Sequence, residues 1–259
     1  MKEQPALEVS DLSVGHGSTA LVEAMDLRLM PATVTALLGA NGKGKSTLMR
    51  TLAGLHAPLA GTVRVCGKEL GRMSAAQRAR LLAWVTTTRP AGPALDVQML
   101  VGLGRLPWTG RWGTFSARDK AIVEQAMEQA GIVHLRHRPL AACSDGERQK
   151  AVIARALAQD TPLLLLDEPT AYLDLPNRAA LLHLLRSQAV QHGRMVLFST
   201  HDIQAALDLS DHLVLLQGER AWWHGTPRDA ADSGVLRSAF AGVGVQFLPD
   251  GTHHFRKPE

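Results

Sequence analysis

Apolar residues fall into two kinds of pattern along the chain. Four short runs are almost wholly apolar, and they occupy residues 34–38, 163–166, 195–198 and 213–216. Such runs are typical of parallel strands that are buried on both faces of a sheet. Residues 7–12 and 62–66 have turn residues between them and favour strands of a smaller antiparallel sheet. The pattern therefore predicts an α/β protein.

The middle of the chain has a helical pattern instead. After Ser116, a residue type that caps helix N-termini, apolar side chains recur with a helical period up to Gly131. We therefore predict one domain in which a mostly helical lobe, residues 86–158, is inserted into a sheet-bearing part made of residues 1–85 and 159–259. Near the end, we expect a hairpin that turns at Asp250-Gly251.

Composition places the chain among folded globular proteins. Its 259 residues are 46% hydrophobic, which is enough for a sizeable core, and the net charge is only +4. No block of like charges predicts a nucleic-acid partner. The start of the chain lacks the pattern of a secretory signal, and Cys66 and Cys143 are the two cysteines. Because no apolar run approaches the roughly 20 residues that span a bilayer, we expect a cytosolic protein that reaches a membrane only through a partner.

A glycine-rich segment follows the run at 34–38 and precedes a helical stretch. It fits the pattern G-x-x-x-x-G-K-[ST], and its residues are Gly39, Ala40, Asn41, Gly42, Lys43, Gly44, Lys45, Ser46 and Thr47. In this pattern backbone N–H groups converge on phosphate oxygens, and the following helix adds its positive end. Lys45 is expected to reach the β- and γ-phosphates and Ser46 to bind Mg²⁺. The alternative is a glycine-rich surface turn.

The run at 163–166 ends in two neighbouring carboxylates, Asp167 and Glu168. Asp167, at the end of the strand, is suited to hold Mg²⁺ through water, whereas Glu168 is placed to polarise the attacking water as a general base. The alternative is an exposed acidic turn. Together with the phosphate-binding loop, these residues predict a protein that binds a nucleotide with Mg²⁺.

Three further segments resemble motifs of the ATP-binding cassette (ABC) family. Residues 144–149, Ser-Asp-Gly-Glu-Arg-Gln, resemble the signature motif, which is usually Leu-Ser-Gly-Gly-Gln-Arg-Gln. Residues 171–174, which end at Asp174, resemble the D-loop, and His201 matches the switch histidine. The motifs have the order of the family, and the resemblance covers almost the whole chain. It implies a P-loop NTPase ABC cassette with a RecA-like core, an antiparallel β subdomain and an inserted α-helical subdomain.

The resemblance also implies that two copies of the chain enclose each ATP. Glu168, His201 and Lys45 would then be catalytic, and Ser46 and Asp167 would hold the metal. The other copy would supply the signature residues, which are Ser144, Asp145, Gly146 and Glu147. Ser144 and Glu147 also form the pattern of a capping box, and both interpretations can hold, since a capped helix N-terminus is an anion site as well. Taken alone, His201 would more often be a structural histidine.

The sequence departs from the family pattern at several positions. His16 stands where the family usually has an aromatic residue that stacks on adenine, and its alternative role is that of a turn residue. Thr87 aligns best with the glutamine of the Q-loop, although a hydroxyl is shorter than an amide. Asp145 and Glu147 add negative charge to the signature, which suits a helix N-terminus but not a nearby phosphate.

Residues 101–110 are similar to a stretch in importers of iron-siderophores, haem and cobalamin. The resemblance implies an ATPase at the cytoplasmic face of the inner membrane, as a homodimer with two permease subunits and, indirectly, a periplasmic substrate-binding protein. Trp108 and Trp112 are candidates to receive the permease, with core packing as the alternative. Two other functions stay open: a soluble ABC ATPase in DNA repair or translation, and a regulator that hydrolyses ATP weakly.

Overall fold

The computed structural model describes residues 4–86, 95–110, 113–171 and 173–240, together with the backbone of 245–247 and 253–255. The strands are β1 Leu7–His16, β2 Thr19–Leu29, β3 Val34–Gly39, β4 Ala60–Val65, β5 Lys68–Glu69, β6 Leu82–Val85, β7 Leu163–Leu166, β8 Met195–Ser199, β9 His212–Gly218, β10 Ala221–Gly225, β11 Val245–Phe247 and β12 His253–Phe255. The helices are α1 Lys45–Leu52, α2 Ala75–Ala79, α3 Val97–Gly102, α4 Ala117–Gln129, α5 Asp145–Ala158, α6 Leu175–Val190, α7 Ile203–Leu209, α8 Pro227–Asp232 and α9 Val235–Ala239. Short 3₁₀ helices cover Leu70–Arg72, Leu103–Trp108, Val133–Leu135 and Leu140–Ala142.

The larger sheet has six strands in the order β10-β9-β3-β8-β7-β6. All neighbours in it are parallel except β9 and β10. The four apolar runs of the sequence form β3, β7, β8 and β9, so the prediction of buried parallel strands is confirmed. Their side chains alternate between the two faces: Leu163 and Leu165 pack in one core, whereas Leu164 and Leu166 pack in the other. The sheet therefore lies between two apolar layers.

The smaller sheet is antiparallel, with the order β2-β1-β4-β5. It contains both segments that the sequence assigned to such a sheet, since residues 7–12 lie in β1 and residues 62–65 in β4. Its buried side chains share a core with Leu48, Met49 and Leu52 of α1. One face of the large sheet is thus covered by α1 and the smaller sheet.

The described residues between β6 and β7 form helices that are joined by loops. Ser116 caps α4 and forms a capping box with Asp119. The helix ends just before Gly131, whose φ is 66°. Helices α3, α4 and α5 share the core on the other face of the large sheet. The helix predicted from Ser116 is confirmed, whereas the lobe boundaries at residues 86 and 158 stay a prediction.

The last two strands, β11 and β12, pair antiparallel, with Phe247 opposite His253. This is the pairing of the predicted hairpin, although Asp250 and Gly251 themselves lie outside the described residues. No helix in the described part of the chain is both long enough and apolar enough to cross a bilayer.

Candidate active site

The glycine-rich segment forms a loop between the end of β3 and the start of α1. Gly42 and Gly44 have φ angles of 79° and 97°, in the left-handed region that favours glycine. A Cβ atom on Gly44 would also lie 3.1 Å from the Cβ of Leu21. Gly44 is the N-cap of α1, so no side chain of the cap residue binds the first N–H groups of the helix. The loop therefore presents N–H donors and the positive end of a helix at one edge of the large sheet.

The ammonium group of Lys45 lies inside this loop. Its Nζ donates hydrogen bonds to the carbonyl oxygens of Gly39 at 2.7 Å and Ala40 at 3.4 Å. Lys45 is only 8% exposed, and this burial lowers its pKa from the usual value, while the carboxylates of Glu168 and Asp167 act in the opposite direction. The lysine and the two carboxylates therefore interact electrostatically.

The two neighbouring carboxylates after β7 have different surroundings. Asp167 is 4% exposed, and its Oδ1 accepts a hydrogen bond of 2.6 Å from the Ser199 hydroxyl at the end of β8. The backbone N–H of Glu168 donates to the same hydroxyl at 2.8 Å. The Glu168 side chain points elsewhere, because its Oε2 lies 2.8 Å from Nδ1 of His201.

Strand order brings these groups to one place. β3, β8 and β7 are adjacent and parallel, so their carboxyl ends lie at the same edge of the sheet. Lys45 follows β3, His201 follows β8, and Asp167 and Glu168 follow β7. Ligands of open α/β sheets bind in the crevice outside these strand ends. The structure thus gathers residues that the sequence separates by more than a hundred positions.

Ser46 and Thr47 occupy the first turn of α1. Ser46 is exposed, so its hydroxyl is accessible at the loop. Thr47 is buried, and its Oγ1 lies 3.1 Å from Nε2 of His16. The His16 ring also meets the ring of His56 edge-on, with centroids 5.5 Å apart. His16 therefore lies beside the phosphate-binding loop, and its role towards adenine stays a prediction.

The signature segment begins α5, and its contacts are local. The Ser144 hydroxyl accepts the N–H of Glu147 at 3.3 Å, and the Glu147 carboxylate accepts the N–H of Ser144 at 2.8 Å. This is the predicted capping box. Glu147 also pairs with Arg138 at 2.9 Å, and its pKa is lowered, above all by the hydrogen bond from the Ser144 N–H. Asp145 lies 3.7 Å from Arg148. The two acidic residues that depart from the family motif are thus paired within the helical segment.

Two buried residues have contacts that the sequence patterns did not single out. Ser199, described above, is completely buried at the end of an otherwise apolar strand. Gln149, in α5, is 7% exposed, and its Nε2 donates to the carbonyl oxygen of Pro169 at 3.0 Å. The signature helix is therefore linked to the residue after Glu168. The available signal for Ser199 was a polar residue directly after an apolar run, two positions before His201.

Asp174 caps α6 by accepting the N–H of Asn177 at 3.0 Å, and it is exposed. This contact is local as well. The predictions made for Thr87 and Trp112, and the tyrosine of the D-loop segment, Tyr172, lie outside the described residues.

Comparisons with known proteins give one consistent result. The family described as ABC transporter matches residues 22–171. The achromobactin transport ATP-binding protein CbrD of Dickeya dadantii is 36% identical over 96% of this chain and 92% of its own length. The iron(3+)-hydroxamate import ATP-binding protein FhuC of Bacillus subtilis is 34% identical over 91% and 87%. The hemin import ATP-binding protein HmuV of Pseudomonas entomophila is 38% identical over 94% and 95%.

Among solved structures, a metal-chelate type ABC transporter in an inward-facing conformation matches with a TM-score of 0.80 and 29% identity, over 91% of this chain and 89% of that one. The predicted fold class, a P-loop NTPase of the ABC type, is confirmed by this likeness. Because the family match extends over more than half of the sequence and these relatives align over nearly all of it, the chain belongs to the ABC transporter family.

Proposed function

We propose that this chain is the ATP-binding and ATP-hydrolysing subunit of an ABC importer. The observation that carries the proposal is the cluster at the edge of the large sheet. There Glu168 contacts His201 at 2.8 Å, and the negative charges of Glu168 and Asp167 raise the pKa of Lys45 against the larger, opposite effect of burial. Purified protein, assembled with its permease, should release phosphate from ATP in the presence of Mg²⁺. His201→Ala should lower kcat at least tenfold, since it removes the partner of Glu168. Absence of hydrolysis by the wild-type assembly would contradict the proposal.

Each residue of the cluster has a distinct proposed role. The loop N–H groups and Lys45 bind the β- and γ-phosphates, and this fixes the reacting end of ATP. Glu168 accepts the proton of the attacking water, which adds to the γ-phosphorus as the bond to the ADP oxygen breaks. His201 holds the Glu168 carboxylate by donating from Nδ1.

The residues at this edge also fit Mg²⁺. Asp167 and the exposed Ser46 hydroxyl are the proposed oxygen ligands at this edge, and the Ser199 hydroxyl holds Oδ1 of Asp167 in place. Mg²⁺ prefers few protein oxygens and keeps several waters. In the described residues no group of three or more His, Cys, Asp or Glu side chains could hold a metal. Mg²⁺ is proposed to bind the phosphate oxygens of ATP as well as these protein oxygens. When bound there, Mg²⁺ supplies positive charge to the phosphate oxygens.

Two copies of the chain are proposed to complete each site. At the start of α5 the acidic residues Glu147 and Asp145 pair with Arg138 and Arg148, and Gly146 between them is proposed to present its backbone N–H to an anion from another chain. In a two-fold dimer, Ser144 and Gly146 of one copy would face the phosphate held by Lys45 of the other. Asp174, exposed at the start of α6, is proposed to lie at the same junction.

A surface for the permease is proposed on α3 and the 3₁₀ helix after it. Large apolar side chains are exposed there, and they include Met99, Leu106 and Trp108. Trp108 is 40% exposed, so the alternative of core packing is wrong for this residue. Its Nε1 donates to the carbonyl oxygen of Gln159 at 2.7 Å, and Arg80 stacks on its ring. Such a fixed, exposed aromatic side chain suits an interface.

The cargo is proposed to be an iron chelate, such as a siderophore or haem, or cobalamin. The support comes from relatives, whose names specify achromobactin, iron(3+)-hydroxamate, hemin and cobalamin. These relatives favour import over a soluble ATPase of DNA repair or translation and over a weakly hydrolysing regulator. An importer would place the chain at the cytoplasmic face of the inner membrane, with a periplasmic binding protein outside. Uptake assays with labelled ferric siderophore, haem and cobalamin would identify the cargo.

A further inference from the structure

The hydroxyl of Ser199 lies between the two carboxylate residues and binds both. It donates to Oδ1 of Asp167 at 2.6 Å and accepts the backbone N–H of Glu168 at 2.8 Å. Ser199 is 0% exposed, so water has no access from which to replace these bonds. The serine comes from β8, whereas its two partners follow β7.

A hydroxyl is well suited to this position. An ionised carboxylate only accepts hydrogen bonds, and a backbone N–H only donates them, whereas a hydroxyl does both through one oxygen. A methyl group at the same place would leave the Asp167 oxygen and the Glu168 N–H without this partner in a buried setting. Both bonds therefore depend on one atom.

The two bonds of Ser199 help the side chains of Asp167 and Glu168 to point in different directions. Glu168 has a φ of 48°, a conformation that costs a residue with a side chain free energy. The bond from its N–H to Ser199 stabilises that conformation. In it, the carboxylate of Glu168 reaches His201, while the carboxylate of Asp167 is held at the end of β7.

We propose that Ser199 is a positioning residue. Its two hydrogen bonds orient Asp167 towards the Mg²⁺ site and Glu168 towards the attacking water. The proposal rests on the proposed function, because both roles belong to ATP hydrolysis. Ser199 itself touches no substrate. It acts through the orientation of its two partners.

The test compares Ser199→Ala and Ser199→Cys with Thr35→Val. The thiol keeps one donor and acceptor atom on Cβ, but sulfur is larger than oxygen and forms weaker hydrogen bonds. Thr35 provides a matched control, since it is also 0% exposed in the same sheet, opposite Leu197 of β8, and its Oγ1 has no hydrogen-bond partner in the part of the chain that the structure describes. All variants are measured as assembled complexes, with wild type in parallel.

Two readouts are expected to change together. Ser199→Ala should lower kcat about tenfold to 100-fold and weaken Mn²⁺ binding, measured by electron paramagnetic resonance with a non-hydrolysable ATP analogue, by a similar factor. The affinity for metal-free ATP should stay within about twofold, because the phosphate-binding loop is unchanged, whereas the affinity for the metal–ATP complex should fall by the same factor as the Mn²⁺ affinity. Ser199→Cys should fall between alanine and wild type, and Thr35→Val should match wild type.

Other outcomes would overturn the proposal. If Ser199→Ala keeps wild-type kcat and Mn²⁺ affinity, the hydroxyl has no positioning role. If Thr35→Val lowers kcat and Mn²⁺ affinity as much as Ser199→Ala does, the effect comes from packing of the sheet. If the alanine variant fails to fold, the cysteine variant provides the test. A wild-type kcat and Mn²⁺ affinity in Ser199→Cys would contradict the proposal. A wild-type complex that does not hydrolyse ATP would instead contradict the proposed function.

Discussion

The two parts of the proposed ATP site are built in different ways. At the edge of the large sheet, side chains at the ends of β7 and β8 contact one another across more than 30 positions of sequence, as Ser199 does with Asp167 and His201 with Glu168. At the start of α5, Ser144 and Glu147 bind each other, and Glu147 pairs with the nearby Arg138. One part is assembled by the fold, and the other is complete within a short helical segment.

This difference is the basis for proposing that two chains share each site. The sheet edge orients the groups that are proposed to bind and cleave ATP, whereas the side chains at the helix start are paired within their own segment. A helix N-terminus that is stable by itself can approach a phosphate held elsewhere without first breaking contacts. The comparison therefore predicts that changes at the sheet edge affect chemistry and that changes at the helix start affect assembly.

The largest expected effect is at the sheet edge, with Glu168→Gln. The amide keeps the shape of the side chain but cannot accept the proton, so kcat should fall about 100-fold to 10,000-fold. ATP should then persist in a stable dimer, which light scattering would detect. Normal turnover of this variant would remove Glu168 from the role of general base.

The second effect concerns the helical region, where Arg105 and Asp119 form a buried ion pair of 2.9 Å. Asp119→Ala leaves Arg105, which is 4% exposed, without its carboxylate partner. Loss of one member of a buried pair costs about 3 kcal/mol of the free energy of unfolding. Nucleotide affinity of the phosphate-binding loop should change little, as equilibrium binding would show. If Asp119→Ala weakened ATP binding by a comparable free energy, the helical region and the phosphate-binding loop would not be independent.

The Asp119 carboxylate also makes the free energy of unfolding depend on pH. The Ser116 hydroxyl and N–H and the Arg105 guanidinium lower the pKa of Asp119 from 3.8 to about 2. A lowered pKa means that the folded state favours the ionised form, so its contribution to stability is present above the ordinary pKa and is lost as the pH falls through about 2. Unfolding free energies of wild type should therefore fall more steeply below pH 4 than those of Asp119→Asn. Parallel curves would contradict this.

A smaller effect compares two serine caps. Ser144→Ala and Ser116→Ala each remove a capping box and should each cost about 1 kcal/mol of unfolding free energy. Only Ser144→Ala should also lower the hydrolysis rate, since only its helix is proposed to face a phosphate. Equal hydrolysis rates in the two variants would assign Ser144 to capping alone.

The smallest effect is expected at His16. Loss of a stacking side chain costs about 1 kcal/mol per base, so His16→Ala should weaken ATP binding roughly fivefold. His16→Tyr, which restores the larger ring usual in the family, should bind at least as tightly as wild type. Unchanged affinity in the alanine variant would favour the alternative of a turn residue.

Much of the fold followed from local sequence patterns. The apolar runs at β3, β7, β8 and β9 and the Ser116 cap are short-range signals, so they predicted strands and a helix start correctly. Contacts between side chains from different strands were not predictable in this way. The bonds of Ser199 depend on β8 lying beside β7, and the bond of Gln149 to Pro169 depends on where α5 packs. Pattern identifies elements, whereas their packing decides which buried polar groups meet.

The most direct test of the account mixes two inactive variants, Lys45→Ala and Ser144→Arg, in assembled complexes. In a mixed dimer with shared sites, one site has both defects and the other has neither, so phosphate release should return in the mixture although each variant alone is inactive. If each chain completed its own site, every site in the mixture would carry one defect. A mixture no more active than its two components would therefore contradict the shared site.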